Sequence, residues 1–185
     1  MLEFAQWVQF TGLFTYLRSS AFTYPIILSL HMCGIGMFGG MILLGDFRML
    51  GISMRNRSIS DLIDQLRVPK RWGALLMITC GILLAGSKAE EYYYNAFFRV
   101  KMILLLCVFV HGWIFRKSVY ENTKALDAAP QVPAIAKVAA ATSLLLWTGL
   151  VICGRGIGYI EPPLDKIHAE VRPMDVPRAV GAVER

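Results

Sequence analysis

Charge is what this chain has little of. Only 17% of its 185 residues are Asp, Glu, Lys or Arg, whereas 56% are hydrophobic, and its mean hydropathy is positive. That balance excludes an ordinary soluble domain and points to a single membrane domain. Cysteine is present without pattern: Cys33, Cys80, Cys107 and Cys153 fall one to each apolar run, with no CxxC and no CxxCH. This excludes a c-type haem attachment and a conventional zinc site, and leaves the thiols as small packing residues. The chain also lacks a phosphate-binding loop, a Ser-His-Asp set and paired carboxylates inside an apolar run, so independent catalysis of a bond-making reaction is not expected.

What the chain does have is four apolar segments, at about 22–45, 72–88, 97–115 and 134–153. Each approaches the ~20 residues that a helix needs to cross a hydrocarbon core of ~30 Å. Backbone polar groups find no water there, so the segments must be helical. An all-α four-transmembrane-helix bundle over residues 1–160 is the expected fold, followed by an extended polar tail at 161–185 in which Pro162, Pro163, Pro173 and Pro177 alternate with charges.

Basic residues set the expected topology. Arg48, Arg55, Arg57, Arg67, Lys70 and Arg71 lie between the first two spans, and Arg116, Lys117, Lys124 and Lys137 between or at the edge of the last two, ten of the 19 in all. By the positive-inside rule these loops are cytoplasmic and both termini face outward across a bacterial inner membrane. The formal charge of +6 is thereby assigned to topology and anionic lipid rather than to nucleic acid. The start is Glu3 rather than a basic n-region, so the first span is expected to insert uncleaved.

Two amphipathic stretches flank the first span. Residues 3–17 carry Trp7, Phe10, Leu13, Phe14 and Leu17 at helical spacings against Glu3, Gln6 and Gln9, the pattern of a helix lying in the interface plane. Residues 59–69 read as a short amphipathic helix that Pro69 ends before span two. Ser19 and Ser20 are candidate caps for span one, with Pro25 near its first turn. Asp46 and Arg48 are expected at the solvated end of that span, paired locally or with Arg71.

Span one also contains the chain's densest motif. Gly36 and Gly40 form a GxxxG pair, and Gly34 shares a face with His31, so another helix or a flat ligand can come close there. The segments FTYPIILSLHMCGIGMFGGMILLGDFRMLG, RWGALLMITCGILL, YYYNAFFRVKMILLL and SLLLWTGLVICGRGIGYIEP together resemble the successive helices of a small bacterial four-helix membrane protein family known mainly as a domain of unknown function. That resemblance implies a four-helix inner-membrane fold and carries no reaction with it.

The candidate chemistry rests on His31 and His111, ionisable side chains inside apolar runs and hence functional-site hypotheses. The sharpest reading is a b-type cytochrome: two imidazoles from different helices ligate one haem iron, and Gly34 makes room for the porphyrin. Depth argues against a shared haem. Counted from Asp46 and Arg116, His31 is 15 residues in and His111 only 5, a difference of ~15 Å at ~1.5 Å per residue. Each histidine then takes a different second ligand, such as Met102. A second reading places His31 beside Lys101 and Arg155 in a cationic cluster for a quinone head group or a lipid phosphate, within a non-catalytic accessory or anchoring subunit of a respiratory or photosynthetic complex. A third, copper handling by His31, Cys33, Met32, Met37 and Met41, is weakened because Met32 and Cys33 point away from His31 by helical spacing. The expectation taken forward is a redox-associated membrane protein with haem b as cofactor, and an accessory subunit contacting quinone or lipid as the alternative.

Overall fold

The computed structural model describes residues 2–129, 131–160 and 162. It is an all-α bundle: α1 (Leu2–Gln9), α2 (Gly12–Ser19), α3 (Thr23–Leu50), α4 (Ile59–Ser87), α5 (Ala89–Tyr94), α6 (Ala96–Phe115) continued by a π-helical turn (Arg116–Tyr120), α7 (Thr123–Ala128) and α8 (Ala134–Ile157). Four of these, α3, α4, α6 with its π turn and α8, are long and apolar enough to cross a membrane. The chain is a multi-pass membrane protein. The polar tail expected at 161–185 lies, apart from Pro162, outside the described residues.

Lipid replaces water as the solvent for most of the surface. Leu75, Ile82, Ile103, Leu106, Phe109, Leu145 and Ile152 are all exposed along the spans, as expected where lipid tails are as apolar as leucine and burial gives helices no hydrophobic incentive to associate. Association relies on small residues instead. A Cβ at Gly34 would stand 2.8 Å from the backbone nitrogen of Met77, and one at Gly73 2.8 Å from that of Phe38. α3 and α4 therefore touch backbone to backbone. The space that Gly34 leaves is filled by α4, not held open for a porphyrin, and Gly36 and Gly40, the GxxxG pair, face nothing within 4 Å.

Three sequence expectations change shape. The interfacial stretch is two helices rather than one, broken where Thr11 adopts an extended backbone before Gly12. α1 docks through Gln9, whose Oε1 accepts from the Glu90 N–H at 2.9 Å, and through Gln6, whose amide donates to Glu90 Oε1 at 2.9 Å. Its outer face, with Trp7 68% exposed, is an interfacial anchor. Pro69 does not end a helix; it lies inside continuous α4. The carbonyl it leaves unpaired, four residues back at Gln65, belongs to an exposed residue, and solvent or headgroups at the membrane edge can satisfy it. At the start of α3 the N-cap position is Phe22, which makes no side-chain cap bond, while the Ser20 hydroxyl, two residues earlier, accepts from the Thr23 N–H at 3.2 Å.

The tightest packing is at the end of the bundle where α3 stops. Met49, Ile59, Val119, Leu126, Ala136, Ala139 and Ala140 form one buried cluster, with the alanines of α8 letting the π turn and α7 close over it. Gly51 ends α3 in the left-handed region, φ 74°, and the Ile52 N–H returns to the Phe47 carbonyl at 2.9 Å, the orphan-carbonyl solution open to glycine.

α7 is pinned to α4 by one carboxylate. Asp127 accepts from the Ile59 N–H at 2.6 Å, the Ser60 N–H at 2.9 Å and the Ser60 hydroxyl at 2.6 Å. It thus supplies the N-terminal donors of α4 with an anion. The little burial it has works to raise its pKa, but the hydrogen bonds from Ser60 and Ile59 and the charge of Arg48 outweigh this and hold it below the usual carboxylate range. A depressed folded-state pKa contributes stability that is present above the unfolded value of about 4 and is lost as pH falls through the folded value. Asp127→Asn is expected to cost about 1 kcal/mol, the size of a lost cap, and to flatten the acid limb of thermal stability measured against pH; an unchanged acid limb would show that Asp127 does not clasp α4.

Candidate functional site

Where α3, α4, α6, α8 and the π turn converge, a cavity of about 230 Å³ opens inside the bundle. Its apolar wall includes Met41, Ile42, Met49 and Val108, and its polar lining is Asp46, Lys70, His111, Tyr120 and Ser143. The volume is below the about 300–1,000 Å³ of pockets for drug-sized ligands, so one ring or one small polar head group is what it can take.

Asp46 is the central residue. It is only 2% exposed, and its Oδ2 is a buried polar atom with no hydrogen-bond partner among the described residues. Ser143, Lys70 and Tyr120 line the same cavity. Among the described residues, Asp46 forms no ion pair within 4 Å. Position 46 is thus not the solvated, locally paired end of a span that the sequence suggested. α3 runs on to Leu50, one turn past a carboxyl that is buried in the bundle. An unpaired polar atom in so dry a place is costly, and such groups mark sites where a ligand or a proton is handled.

His111 enters the same cavity from α6. Its Nε2 donates to the Ala139 carbonyl at 3.0 Å, which fixes the tautomer and leaves Nδ1 as an acceptor. Phe115 and Tyr120 stand against the ring at 4.9 and 6.3 Å between centroids. Tyr120 is brought in by the π-helical turn, whose extra residue re-aims it, a device frequent at functional sites. Trp147, 7% exposed, forms the aromatic wall and is braced edge-on by Phe38 at 5.3 Å.

His31 is elsewhere. It precedes Asp46 by 15 residues on the same helix, ~22 Å along the axis at ~1.5 Å per residue. The structure therefore does not bring His31 and His111 to one iron. The His31 Nδ1 donates to the Met77 carbonyl at 2.8 Å, and its Cε1 would lie 3.1 Å from a Cβ at Gly81. Met102, a candidate second ligand, is 49% exposed and faces lipid, as does Met32 of the copper reading at 52%. Of the cationic cluster, Lys101 does lie within electrostatic range of His31 and Cys153. Arg155 does not join it: its guanidinium donates to the Tyr159 hydroxyl at 2.8 Å and stacks over that ring at 4.9 Å.

Sequence reasoning named His111 but missed Asp46, Tyr120, Ser143, Lys70 and Trp147 as its neighbours. One signal was available for Asp46: Met49, one turn on, is apolar, and a span that continues past an acid with apolar residues on its face buries that acid. Tyr120 carried no such signal, because a π turn has no distinct residue pattern here.

No curated protein and no solved structure matches the chain. A family model does, over residues 4–160, which takes in every helix that lines the cavity. The chain belongs to the family of unknown function DUF6644.

Proposed function

We propose that this chain is a redox-associated subunit of the bacterial inner membrane that holds a quinone head group in the cavity around Asp46. The observation that carries this reading is the buried, unpartnered Asp46 Oδ2 facing a ring-sized space shared with His111, Tyr120, Lys70 and Trp147. A quinone ring is flat and apolar, with oxygens that accept hydrogen bonds as carbonyls and donate them as hydroxyls after reduction. Tyr120 and Lys70 supply donors for the first state, and Asp46 Oδ2 and His111 Nδ1 supply acceptors for the second. Trp147 offers an aromatic edge to the ring. The basic loops orient this end of the bundle toward the cytoplasm, with both termini outside, so protons exchanged at Asp46 come from that side. The electrons pass to or from a redox centre on a partner protein, which makes the chain a subunit rather than an independent enzyme.

The test uses Trp147. In detergent-purified chain, a short-tailed benzoquinone should quench tryptophan fluorescence saturably, and Trp147→Phe should remove the saturable part while Trp7→Phe leaves it. Unsaturable quenching that is equal in both variants would sink the proposal and leave the accessory or anchoring role.

A haem b reading retains one specific observation. The His31 Nδ1–H is held by a backbone carbonyl, which leaves Nε2 for a metal, the second-shell arrangement of ligating histidines. His111 being distant, the sixth ligand would come from a partner. A reduced-minus-oxidised spectrum with a b-type α-band that vanishes in His31→Ala would establish this reading; a flat spectrum would remove it.

A further inference from the structure

Lys101, in the other half of the bundle, is not used by the quinone reading. Lys101 sits five residues into α6, ~7.5 Å below its start at ~1.5 Å per residue. Its Nζ lies 3.7 Å from where a Cβ of Gly154 would stand, which places the ammonium against α8 rather than out in lipid. His31 from α3 and buried Cys153 from α8 are within its electrostatic range. Among the described residues, Lys101 makes no hydrogen bond or ion pair. An ammonium inside a span is expensive and is ordinarily matched by a partner. Here the neighbouring ionisable groups, an imidazole and a thiol, include no carboxylate.

We infer that Lys101, set against Gly154 of α8, forms a second binding site, for the acid group of an amphiphile. The ammonium supplies the charge. Gly154, lacking a side chain, leaves space beside Nζ. The ligand is an amphiphile rather than a free anion because Val100 and Ile103, beside Lys101 in α6, and Ile152, near Gly154 in α8, are exposed to lipid. An acid with an apolar tail reaches the ammonium along that surface, whereas a hydrated anion would have to shed its water to do so. The acid can be a fatty-acid carboxylate or a phospholipid phosphate, which present the same chemistry to an ammonium.

The test is native mass spectrometry of the full, delipidated chain, incubated separately with oleate, phosphatidylglycerol and phosphatidylcholine. One acidic amphiphile should be retained per chain. Retention should fall at least about tenfold in Lys101→Gln, the loss expected for one charged hydrogen bond, and should persist in Lys101→Arg. Gly154→Leu, which keeps the ammonium but fills the space beside it, should also abolish retention. Oleate alone retained identifies a carboxylate ligand, phosphatidylglycerol alone a phosphate, and both a site that reads charge only. Phosphatidylcholine held as tightly as the acids, or Lys101→Gln retaining them like the parent, would overturn the inference. The quenching of Trp147 by quinone should not change in Lys101→Gln, so the two sites fail or succeed separately.

Discussion

Asp46→Asn should weaken quinone binding at least about tenfold, because a charged hydrogen bond is worth ~1.5–3 kcal/mol and each 1.4 kcal/mol is about tenfold. The amide keeps the shape and one acceptor but turns the other oxygen, now unpartnered, into a donor. It can no longer take a proton from a hydroxyl. Asp46→Leu separates this role from a structural one. A structural buried carboxyl leaves its partner groups stranded when removed, at ~3–5 kcal/mol for a broken buried pair. Asp46 has no ion-pair partner among the described residues, so Asp46→Leu should melt at or above the parent temperature while binding no quinone. Stability gained as binding is lost is the signature of a residue kept for function. Destabilisation by Asp46→Leu together with normal quenching of Trp147 in Asp46→Asn would identify the carboxyl as a packing element and remove it from the site.

How far the sequence reveals such a residue depends on which solvent dictates its neighbours. Four spans were legible because the bilayer fixes their length and composition independently of tertiary contacts, and α3, α4, α6 and α8 fall where the apolar runs do. The helix ends were less so. The helical start at 59 was legible, but Pro69 reads as a break where α4 in fact runs through it; the first turns of α4 are held by Asp127 of α7, 67 and 68 residues away in sequence. Asp46 is misread for the same reason. A charge near the end of an apolar run looks solvated until other helices of the bundle bury it, and that closure is not local in sequence. His31 was legible as an intramembrane polar residue, whereas its partner, the Met77 carbonyl, is a backbone group that no side-chain pattern announces. Small residues mislead in the same way: GxxxG spacing marks a face on which a helix can approach, and only the partner's position decides which glycine it approaches.

That choice of glycine gives the second large effect. Gly34→Ala and Gly73→Ala should each lower the thermal stability of the detergent-purified chain, by the ~1–3 kcal/mol of an overpacked contact, whereas Gly36→Ala and Gly40→Ala should be neutral or stabilising by up to ~1 kcal/mol, the helix-propensity gain of alanine over glycine. At positions 34 and 73 the added carbon meets backbone, Met77 N and Phe38 N, each at 2.8 Å. Backbone cannot swing aside as a side chain can, so the two helices must part. At positions 36 and 40 nothing stands within 4 Å, and only the propensity term operates. The double variant Gly34→Ala, Gly73→Ala should cost less than the sum of the singles, since helices already separated by the first substitution accommodate the second; contacts sharing one interface are non-additive in this way. Separation also draws Met77 away from His31 and Lys70 away from Asp46, so the stability loss should be accompanied by weaker quenching at Trp147. If Gly36→Ala melts lower than Gly34→Ala, the close face of α3 is the GxxxG face, and the helix must be rotated about its axis from the arrangement that places Asp46 in the cavity.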